Sequence, residues 1–489
     1  MAGATPGQRL CRRRGAGRQA RPAALLGPRF RHRKPRSGQP GTVPVHRGDH
    51  PELVRHRCDP AGQGHRRRPG PAAAAGRLSG GRQPSDGRTG RGRGALADEP
   101  VADDVLVTGP WDVVILGGGP AGCATALSLR RRGVERVLVV EAGTYDAVRI
   151  GESVPPDIRR LLGDELGLWP EFVAERHEPC HGSRSAWGSD RLGYNDFLFN
   201  PYGQGWHLDR RRFDAFLARK AADRGITVLT GRRFEMAEPV EAGGHRLRIA
   251  CGNGACGDGA SENGRYDTVE ARFVVDATGP RGRFARRQGG RPRLLDRLVF
   301  VAGFFALPEN SPLTRQTMLE AAEHGWWYAA RLPDRRCVVA LATDADIVRS
   351  KGLNREGPWL ESLLDTRHIV AALAGSALEA HSVATWVAVS FLRDRIAGPD
   401  WLAVGDAASG YDPLSSQGIQ KAMTDAVDAA EAIAERLRSG ADTVGAYVDK
   451  VTGRFDDYLA NRNLFYGQET RWADAPFWRT RRERTALRD

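Results

Sequence analysis

The sequence predicts an α/β protein with a parallel sheet, a second β-rich region inserted into the chain, and a helical C-terminus. Three observations predict this. From Trp111 onward, apolar strand-like runs alternate with helical patterns, and a glycine-rich turn joins the first strand "DVVIL" to the first helix. Residues 297–395 are rich in β-forming and aromatic residues, whereas the chain from Gly418 onward is mostly helical in pattern.

The first hundred residues carry the excess positive charge of the chain. They hold 22 of the 73 Lys and Arg residues but 6 of the 59 Asp and Glu residues, a net charge of +16, and the remainder stands at −2. Abundant Arg, Gly and Pro with few apolar residues predict a disordered leader over residues 1–104. A basic arm that binds nucleic acid and an Arg-rich transit peptide are two interpretations. We favour a third, in which translation starts near Val101 or Val105, because no methionine lies between Met1 and Met236.

The glycine-rich turn contains Gly117, Gly119 and Gly122 between a strand and a helix. The first glycine permits a tight turn, the second lets the backbone approach a pyrophosphate, and the third lets helix and strand pack closely. The helix N-terminus favours the negative charge of the pyrophosphate. Glu141, at the end of the second strand, can accept both ribose hydroxyls and would repel a 2′-phosphate. The turn predicts a dinucleotide site, which also includes Pro120, Ala121 and Ala142. A glycine-rich turn without a ligand is the alternative.

Two later segments distinguish the dinucleotides. "FVVDATG" (273–279) and "WLAVGDAASGYDPLSSQGIQKAM" (401–423) resemble two fingerprints of the glutathione-reductase-like flavoproteins. The resemblance implies FAD in a Rossmann domain, with Asp406 bonded to the ribityl chain. It also places the turn and helix at 413–419, including Gln417, Gly418 and Ile419, at the pyrimidine edge of the flavin, where a helix N-terminus stabilises the reduced ring. Asp406 as an ordinary helix cap is the alternative.

These fingerprints divide the chain into predicted segments. The FAD-binding domain is expected over 105–230, 273–296 and 399–435, with a β-hairpin region at 231–272 between its first two parts. Residues 297–398 are expected to form a β domain along the substrate pocket, and residues 436–489 a C-terminal helical region.

Four further stretches indicate the family. They are "IGESVPPDIRRLL" (150–162), "GWHLDRRRFDAFL" (205–217), "GWWYAARLP" (325–333) and "ETRWADAPFWRTR" (469–481). Together they resemble the flavin-dependent tryptophan-halogenase superfamily. Within it they are most similar to the flavoprotein monooxygenase branch that takes part in tryptophylquinone cofactor biogenesis. The resemblance covers the chain from about residue 111 to its end.

The chain departs from the halogenase pattern at two positions. Halogenases of the superfamily use a lysine beyond the GES segment, but no lysine lies between Gly151 and Arg219, and Ser415 stands where tryptophan halogenases have a glutamate. The resemblance therefore implies a monooxygenase. In such an enzyme FADH2 and O2 give a flavin C4a-hydroperoxide, which hydroxylates an electron-rich aromatic ring. A flavin-dependent halogenase is the alternative.

Three polar residues are candidate proton-handling groups near the flavin: Glu152, His207 and Asp412. Each also has a structural interpretation: Glu152 can hold the loop, His207 can be a packed core histidine beside Trp206, and Asp412 can open the turn before Pro413. Ser153 and Arg210 are expected to contact the cofactor, with a surface salt bridge as the alternative for Arg210. The aromatic residues expected to line a substrate site, with core packing as the alternative, are Trp187, Trp206, Trp326, Trp327 and Tyr328.

The sequence contains no second dinucleotide-binding pattern. Reducing equivalents are therefore expected from NAD(P)H bound transiently or from a separate flavin reductase. The expected substrate is an aromatic small molecule or a tryptophan-containing peptide or protein, and this step rests on analogy with the fold. No apolar run approaches the roughly 20 residues of a membrane helix, so we expect a cytoplasmic protein with no membrane partner, and nucleic acid is not an expected partner.

Overall fold

The computed structural model describes residues 110–251, 266–485 and 487. The expectations for the leader at 1–104 therefore lie outside the described residues, and so does the glycine-rich stretch 252–265 within the predicted hairpin region. In the described part of the chain, no helix is both long and apolar enough to cross a membrane.

The α/β prediction is confirmed by a sheet, here called the cofactor sheet, with five parallel strands at its centre. In spatial order its main path is Ala397–Gly398, Trp401–Ala403, Tyr266–Asp276, Trp111–Leu116, Val137–Val140 and Thr227–Leu229. Only Ala397–Gly398 runs antiparallel to its neighbour on this path. Arg232–Pro239 and His245–Cys251 extend Tyr266–Asp276 as an antiparallel addition. The strand Val137–Val140 is buried throughout, as expected for a parallel sheet covered on both faces.

The first helix is Pro120–Arg131, with proline at a position where its missing N–H costs no hydrogen bond. It packs against the long helix Gly418–Ser439, which ends at Gly440 in the left-handed conformation. Asp209 caps a third helix, Arg210–Ala222, by accepting hydrogen bonds from the N–H groups of Arg211 and Arg212.

A second large sheet, here called the pocket sheet, is antiparallel over most of its width. Its main path is Ala377–Leu378, Leu298–Ala306, Arg336–Asp344, Gly325–Leu332, Thr317–Ala322, Gly182–Ala186 and Gly193–Asp196, and Ala384–Val387 pairs with Leu298–Ala306. Side chains alternate between its faces along each strand. One face packs around Trp359, and the other packs against Tyr466, Phe477 and Trp478 from the C-terminal helices.

The remaining elements connect these two sheets. There are two small three-stranded sheets among the described residues. The first consists of Pro292–Leu294, Phe391–Arg393 and Ser409–Gly410. The second consists of Ser153–Val154, Gly205–His207 and Glu178–Cys180. The other α-helices are Ile158–Arg160, Trp169–Ala174, Arg283–Arg287, Ala345–Lys351, Glu356–Leu364, His368–Ala372, Val444–Gln468 and Pro476–Glu483. A π-helical turn occupies Leu161–Glu165, and 3₁₀ turns occupy Gly279–Arg281, Gly405–Ala407 and Pro413–Ser415.

Several predicted segment boundaries cut through elements of the structure. Strand Tyr266–Asp276 crosses the boundary at 272/273, and helix Gly418–Ser439 crosses the one at 435/436. Gly182–Ala186 and Gly193–Asp196, expected within the first FAD-binding part, instead extend the pocket sheet. Strand pairing between distant segments decides these assignments, and local patterns do not reveal it.

Candidate functional site

A cavity of about 660 Å³ lies between the two large sheets. The carboxyl ends of the parallel strands line one side, at Leu116, Val140 and the turn that begins at Ala277. Phe300, Tyr328, Val338 and Ala340 of the pocket sheet line the other side. In open α/β sheets, ligands bind outside the carboxyl ends of the strands, so the position of this cavity indicates the functional site.

The glycine-rich turn has different geometry at each of its three glycines. Gly117 has a φ of +109°, and a Cβ there would lie 2.3 Å from the carbonyl oxygen of Ala277. A Cβ on Gly122 would lie 1.8 Å from the Gly117 carbonyl oxygen, which explains the close packing of helix and strand. Gly119 differs, because the nearest atom to its Cβ would be Arg149 Nη1 at 3.8 Å. The open space is therefore at Gly119, beside the N-terminus of helix Pro120–Arg131.

Charged groups surround this helix N-terminus. The carboxylate of Glu141 accepts hydrogen bonds from the N–H groups of Gly118 at 2.6 Å and Gly143 at 2.8 Å. Arg149 lies 3.7 Å from Glu141 Oε1 and 3.5 Å from Asp214 Oδ2. A positive side chain and a helix N-terminus at one place favour a phosphate group.

Arg210 lines the same cavity and forms a buried ion pair. The alternative of a surface salt bridge therefore does not apply. Its guanidinium donates two hydrogen bonds to Asp214, at 3.1 and 3.0 Å, and a third to the Ile150 carbonyl at 2.7 Å. Only 1% of the Asp214 side chain is exposed. Arg210 therefore fixes the loop that leads into Gly151 and Glu152.

The C-terminal side of the cavity is formed by Asp406, Pro413, Ser416, Gly418 and Ile419, whereas Gln417 does not line it. Among the described residues, no side chain caps the N-terminus of helix Gly418–Ser439, and a Cβ on Gly418 would meet no atom within 4 Å. The first N–H groups of this helix have no partner within the helix and are open to a ligand.

These features fit FAD. Gly119 and Arg149 suit the pyrophosphate, Glu141 suits the ribose, and Asp406 suits the ribityl chain. The N-terminus at Gly418 suits the electron-rich edge of a flavin. Predicted cofactor residues on the lining are Gly117, Gly119, Pro120, Ala121, Glu141, Ala142, Ser153, Arg210, Asp406, Gly418 and Ile419. Gly122 supports the turn from behind it.

Glu152 is a buried carboxyl group on the cavity wall, with 3% of the residue exposed. Its Oε2 accepts a hydrogen bond from the N–H of Gly151 at 3.0 Å, and its Oε1 has no partner among the described residues. Burial raises the pKa of Glu152 to about 7, although Arg210 and His207 oppose the shift. A carboxyl group of this pKa can donate or accept a proton near neutral pH.

His207 and Asp412 lie off the cavity, contrary to their prediction as groups beside the flavin. His207 is fully buried and hydrogen bonds through Nε2 to Thr317 Oγ1 at 2.9 Å. Asp412 caps the turn at Leu414 and accepts a hydrogen bond from the Tyr466 hydroxyl at 2.6 Å. The structural interpretation therefore describes Asp412, because the C-terminal helices bury its carboxyl group.

Of the predicted pocket aromatic residues, Tyr328 alone lines the cavity. Trp327 is its neighbour in the strand and packs on the opposite face, with its ring 5.3 Å from that of Trp359. Trp206 packs against Phe172 and Trp169 in the core that includes the cofactor sheet. Trp187 contacts Trp326 and Trp478 and donates a hydrogen bond to the Phe465 carbonyl. The core interpretation describes these tryptophans. For Trp327 the reason is that successive strand residues point to opposite faces.

The sequence interpretation missed several residues on the lining, among them Arg149, Thr278, Arg281, Arg283 and Phe300. A usable signal existed for four of them. Arg149 directly precedes the "IGES" segment, and Thr278, Arg281 and Arg283 lie in or just after "DATG". Phe300 had no local signal, because its face depends on the pairing of its strand.

Comparisons with known proteins agree with this geometry. A family model described as an FAD binding domain matches residues 110–452. LodB of Marinomonas mediterranea, which is assigned to the FAD-dependent oxidoreductases, is 32% identical over 384 residues, covering 77% of this chain and 98% of LodB.

Solved structures with the same fold include a halogenase and a dihydroxylase. The flavin-dependent halogenase CmlS matches with a TM-score of 0.67 and 26% identity, over 77% of this chain and 68% of CmlS. The peptidyl tryptophan dihydroxylase QhpG, essential for tryptophylquinone cofactor biogenesis, matches with a TM-score of 0.54 and 25% identity, over 76% of this chain and 79% of QhpG. The predictions of FAD as the cofactor and of the superfamily are thereby confirmed. The chain belongs to the FAD-binding-domain family, within the superfamily of the flavin-dependent halogenases.

Proposed function

We propose that the protein is an FAD-dependent monooxygenase that hydroxylates an electron-rich aromatic ring, with a tryptophan side chain in a peptide or protein as the substrate class. When bound, FAD supplies the reduction of O2 that makes one oxygen atom available for transfer. The electrons come from NAD(P)H or a flavin reductase. The similarity to QhpG, a peptidyl tryptophan dihydroxylase, supports this choice. The similarity to LodB supports the broader class of FAD-dependent oxidoreductases.

The observation that carries the proposal is Glu152. Its Oε1 lacks a hydrogen-bond partner in the described part of the chain, and its pKa is about 7. The cavity wall thus has a group that holds a proton in the acidic range and accepts one above neutrality. Phe300, Val338 and Ala340 form an apolar wall on the pocket-sheet side of the cavity. Such a wall favours an aromatic ring and excludes water from it.

The lysines of the described chain support hydroxylation over halogenation. None of them lines the cavity. Lys351 is exposed at the end of helix Ala345–Lys351. Lys421 is buried, and its ammonium group donates hydrogen bonds to the carbonyls of Gly405 and Ser409. Lys421 is therefore held by interior carbonyls and Lys351 lies at an exposed helix end, so neither is placed to direct an oxidised halide toward a substrate in the cavity.

The test is to reduce the FAD-loaded protein, add O2, bromide or chloride and a tryptophan-containing peptide, and measure the mass of the product. We expect gains in steps of one oxygen atom, insensitive to halide and to Lys351→Ala. Glu152→Gln should slow product formation by at least about tenfold. A product with a halogen isotope pattern that is lost in Lys351→Ala would instead establish the halogenase.

A further inference from the structure

A line of hydroxyl groups leads from the cavity into the interior. The Tyr328 hydroxyl on the cavity wall lies 2.8 Å from Ser153 Oγ, which lies 3.1 Å from Thr317 Oγ1. Thr317 Oγ1 in turn lies 2.9 Å from His207 Nε2. Because Ser153 and His207 are directly paired across two antiparallel strands, the backbone register holds this line in place.

The line ends at a buried thiol. Cys180 Sγ lies 3.7 Å from Thr317 Oγ1, so one hydroxyl contacts both the thiol and the imidazole. Burial alone would raise the pKa of Cys180, but the neighbouring His207 lowers it to about 7. Burial opposes the charged form of His207, and Cys180 raises its pKa nevertheless. Each group therefore stabilises the charged form of the other.

Other charged groups also face this pair. Glu152 and Glu178 both favour the protonated imidazole. Glu178 is held by Arg315 at 2.8 Å and by Arg331 at 3.4 Å, which offsets part of its charge. The Nδ1 atom of His207 is buried without a partner among the described residues. The imidazole therefore exchanges its proton through Nε2 and Thr317.

We propose that Cys180 and His207 form a buried proton reservoir that exchanges a proton with the cavity through the hydroxyls of Thr317, Ser153 and Tyr328. A hydroxyl group can accept one proton while it donates another. His207 Nε2 gives its proton to Thr317, Thr317 gives one to Ser153, and Ser153 gives one to Tyr328. Tyr328 Oη then releases one to an acceptor in the cavity. The pair of Cys180 and His207 is then left one proton short and regains that proton along the same path.

This inference rests on the proposed function in one respect. Aromatic hydroxylation consumes a proton when the second oxygen atom of O2 leaves as water, and releases one when the substituted ring carbon loses its hydrogen. A reservoir that lends a proton and takes it back matches this sequence, and a closed cavity has little bulk water to do so.

The first test measures the thiol without any reaction. In the oxidised FAD-loaded protein, ultraviolet absorbance of the thiolate is titrated against pH, with Cys180→Ser as the blank. We expect a transition near pH 7 that moves upward by at least about one pH unit in His207→Asn, toward an ordinary thiol. A thiol that titrates in the ordinary range in the unaltered protein would overturn the proposal.

The second test measures proton delivery with no aromatic substrate. The reduced FAD-loaded protein is mixed with O2 in H2O or D2O, and flavin reoxidation is followed by absorbance. Thr317→Val removes the linking hydroxyl at nearly constant volume, and we expect it to slow reoxidation by about tenfold and to change the solvent isotope effect. Thr317→Ser should restore both. The matched control is Thr343→Val, which replaces another buried threonine of the pocket sheet that lies away from the line of hydroxyl groups.

If Thr317→Val fails to fold, Ser153→Ala interrupts the line at the next hydroxyl and takes its place in this test. Equal rates and isotope effects in Thr317→Val and Thr343→Val would overturn the reservoir. A protein that oxygenates no aromatic substrate, but keeps the thiolate transition and the Thr317 effect, would refute the proposed function and leave the reservoir standing.

Discussion

Gly119 and Gly122, three positions apart in one turn, offer a matched test of the cofactor site. Gly119 has a φ of −74° and a ψ of −173°, which any residue adopts, and its Cβ would meet nothing closer than Arg149 Nη1 at 3.8 Å. Gly119→Ala should therefore change the free energy of unfolding of the FAD-free protein by less than about 0.5 kcal/mol. The added methyl group nevertheless occupies the space where the backbone approaches a pyrophosphate.

The expected loss in Gly119→Ala is one of FAD affinity. A methyl group that holds the pyrophosphate off the helix N-terminus weakens charge-assisted hydrogen bonds of roughly 1.5–3 kcal/mol each. Losing one of them raises the dissociation constant by about tenfold to a hundredfold. The assay is quenching of flavin fluorescence during titration of the FAD-free protein.

Gly122→Ala is the contrasting change. A Cβ there would lie 1.8 Å from the Gly117 carbonyl oxygen, and this backbone group cannot move aside without breaking the turn. We expect a loss of about 3 kcal/mol or more in the free energy of unfolding, measured with urea in the absence of FAD. If Gly119→Ala bound FAD as tightly as the unaltered protein, or if Gly122→Ala were fully stable, the assigned geometry of the turn would be refuted.

The remaining predictions concern the cavity wall and its supports. Burial raises the pKa of Glu152 to about 7, so the stability it contributes is present below about pH 4.5 and lost as pH rises through 7. In urea unfolding without FAD, the free energy of unfolding of Glu152→Gln should equal that of the unaltered protein at pH 4.5 and exceed it by about 3 kcal/mol at pH 8. Equal free energies at both pH values would contradict the burial of Glu152. Trp327→Ala should cost about 3–5 kcal/mol of stability with little change in KM, and a raised KM would place the Trp327 ring in the pocket. Tyr328→Phe should cost about 1 kcal/mol of stability and slow turnover. Asp412→Ala, which leaves the Tyr466 hydroxyl without its acceptor, should cost about 3 kcal/mol and leave FAD affinity unchanged, and weaker FAD binding at full stability would refute its structural role. Removal of residues 1–100 should leave FAD affinity unchanged in the same fluorescence titration, because Leu116 is the first described residue on the cavity lining; loss of binding would contradict this.

Local chemistry made the cofactor half of the site predictable from the sequence. The turn at Gly117 and the carboxylate of Glu141 act within one βαβ unit, so their spacing along the chain determines their geometry. The cap at Asp209 is equally local, because it bonds to N–H groups two and three residues later. Each of these positions could be assigned without knowing any contact between distant segments.

The substrate half depends on contacts that the chain order hides. Trp327 and Tyr328 are adjacent in a strand, so their side chains point to opposite faces of the sheet. Strand periodicity alone therefore shows that both cannot line the substrate site. Which of them faces the cavity depends on the strand pairing Tyr328↔Ala340, because Ala340 also lines the cavity. Local patterns could not show that Asp412 is buried, because its partner Tyr466 lies 54 residues further along the chain.

The line of hydrogen bonds from the cavity to His207 shows the same dependence most clearly. Ser153, His207 and Thr317 carry no motif that relates them, and Thr317 attracts no notice in the sequence. They meet because Ser153 pairs with His207 in a two-residue strand and Thr317 begins the pocket-sheet strand next to Gly182–Ala186. Since small hydroxyl side chains are common on strands, only the register turns these three into a continuous line of hydrogen bonds. A change that slips this register should therefore uncouple Cys180 from the cavity even when every side chain in the line is retained.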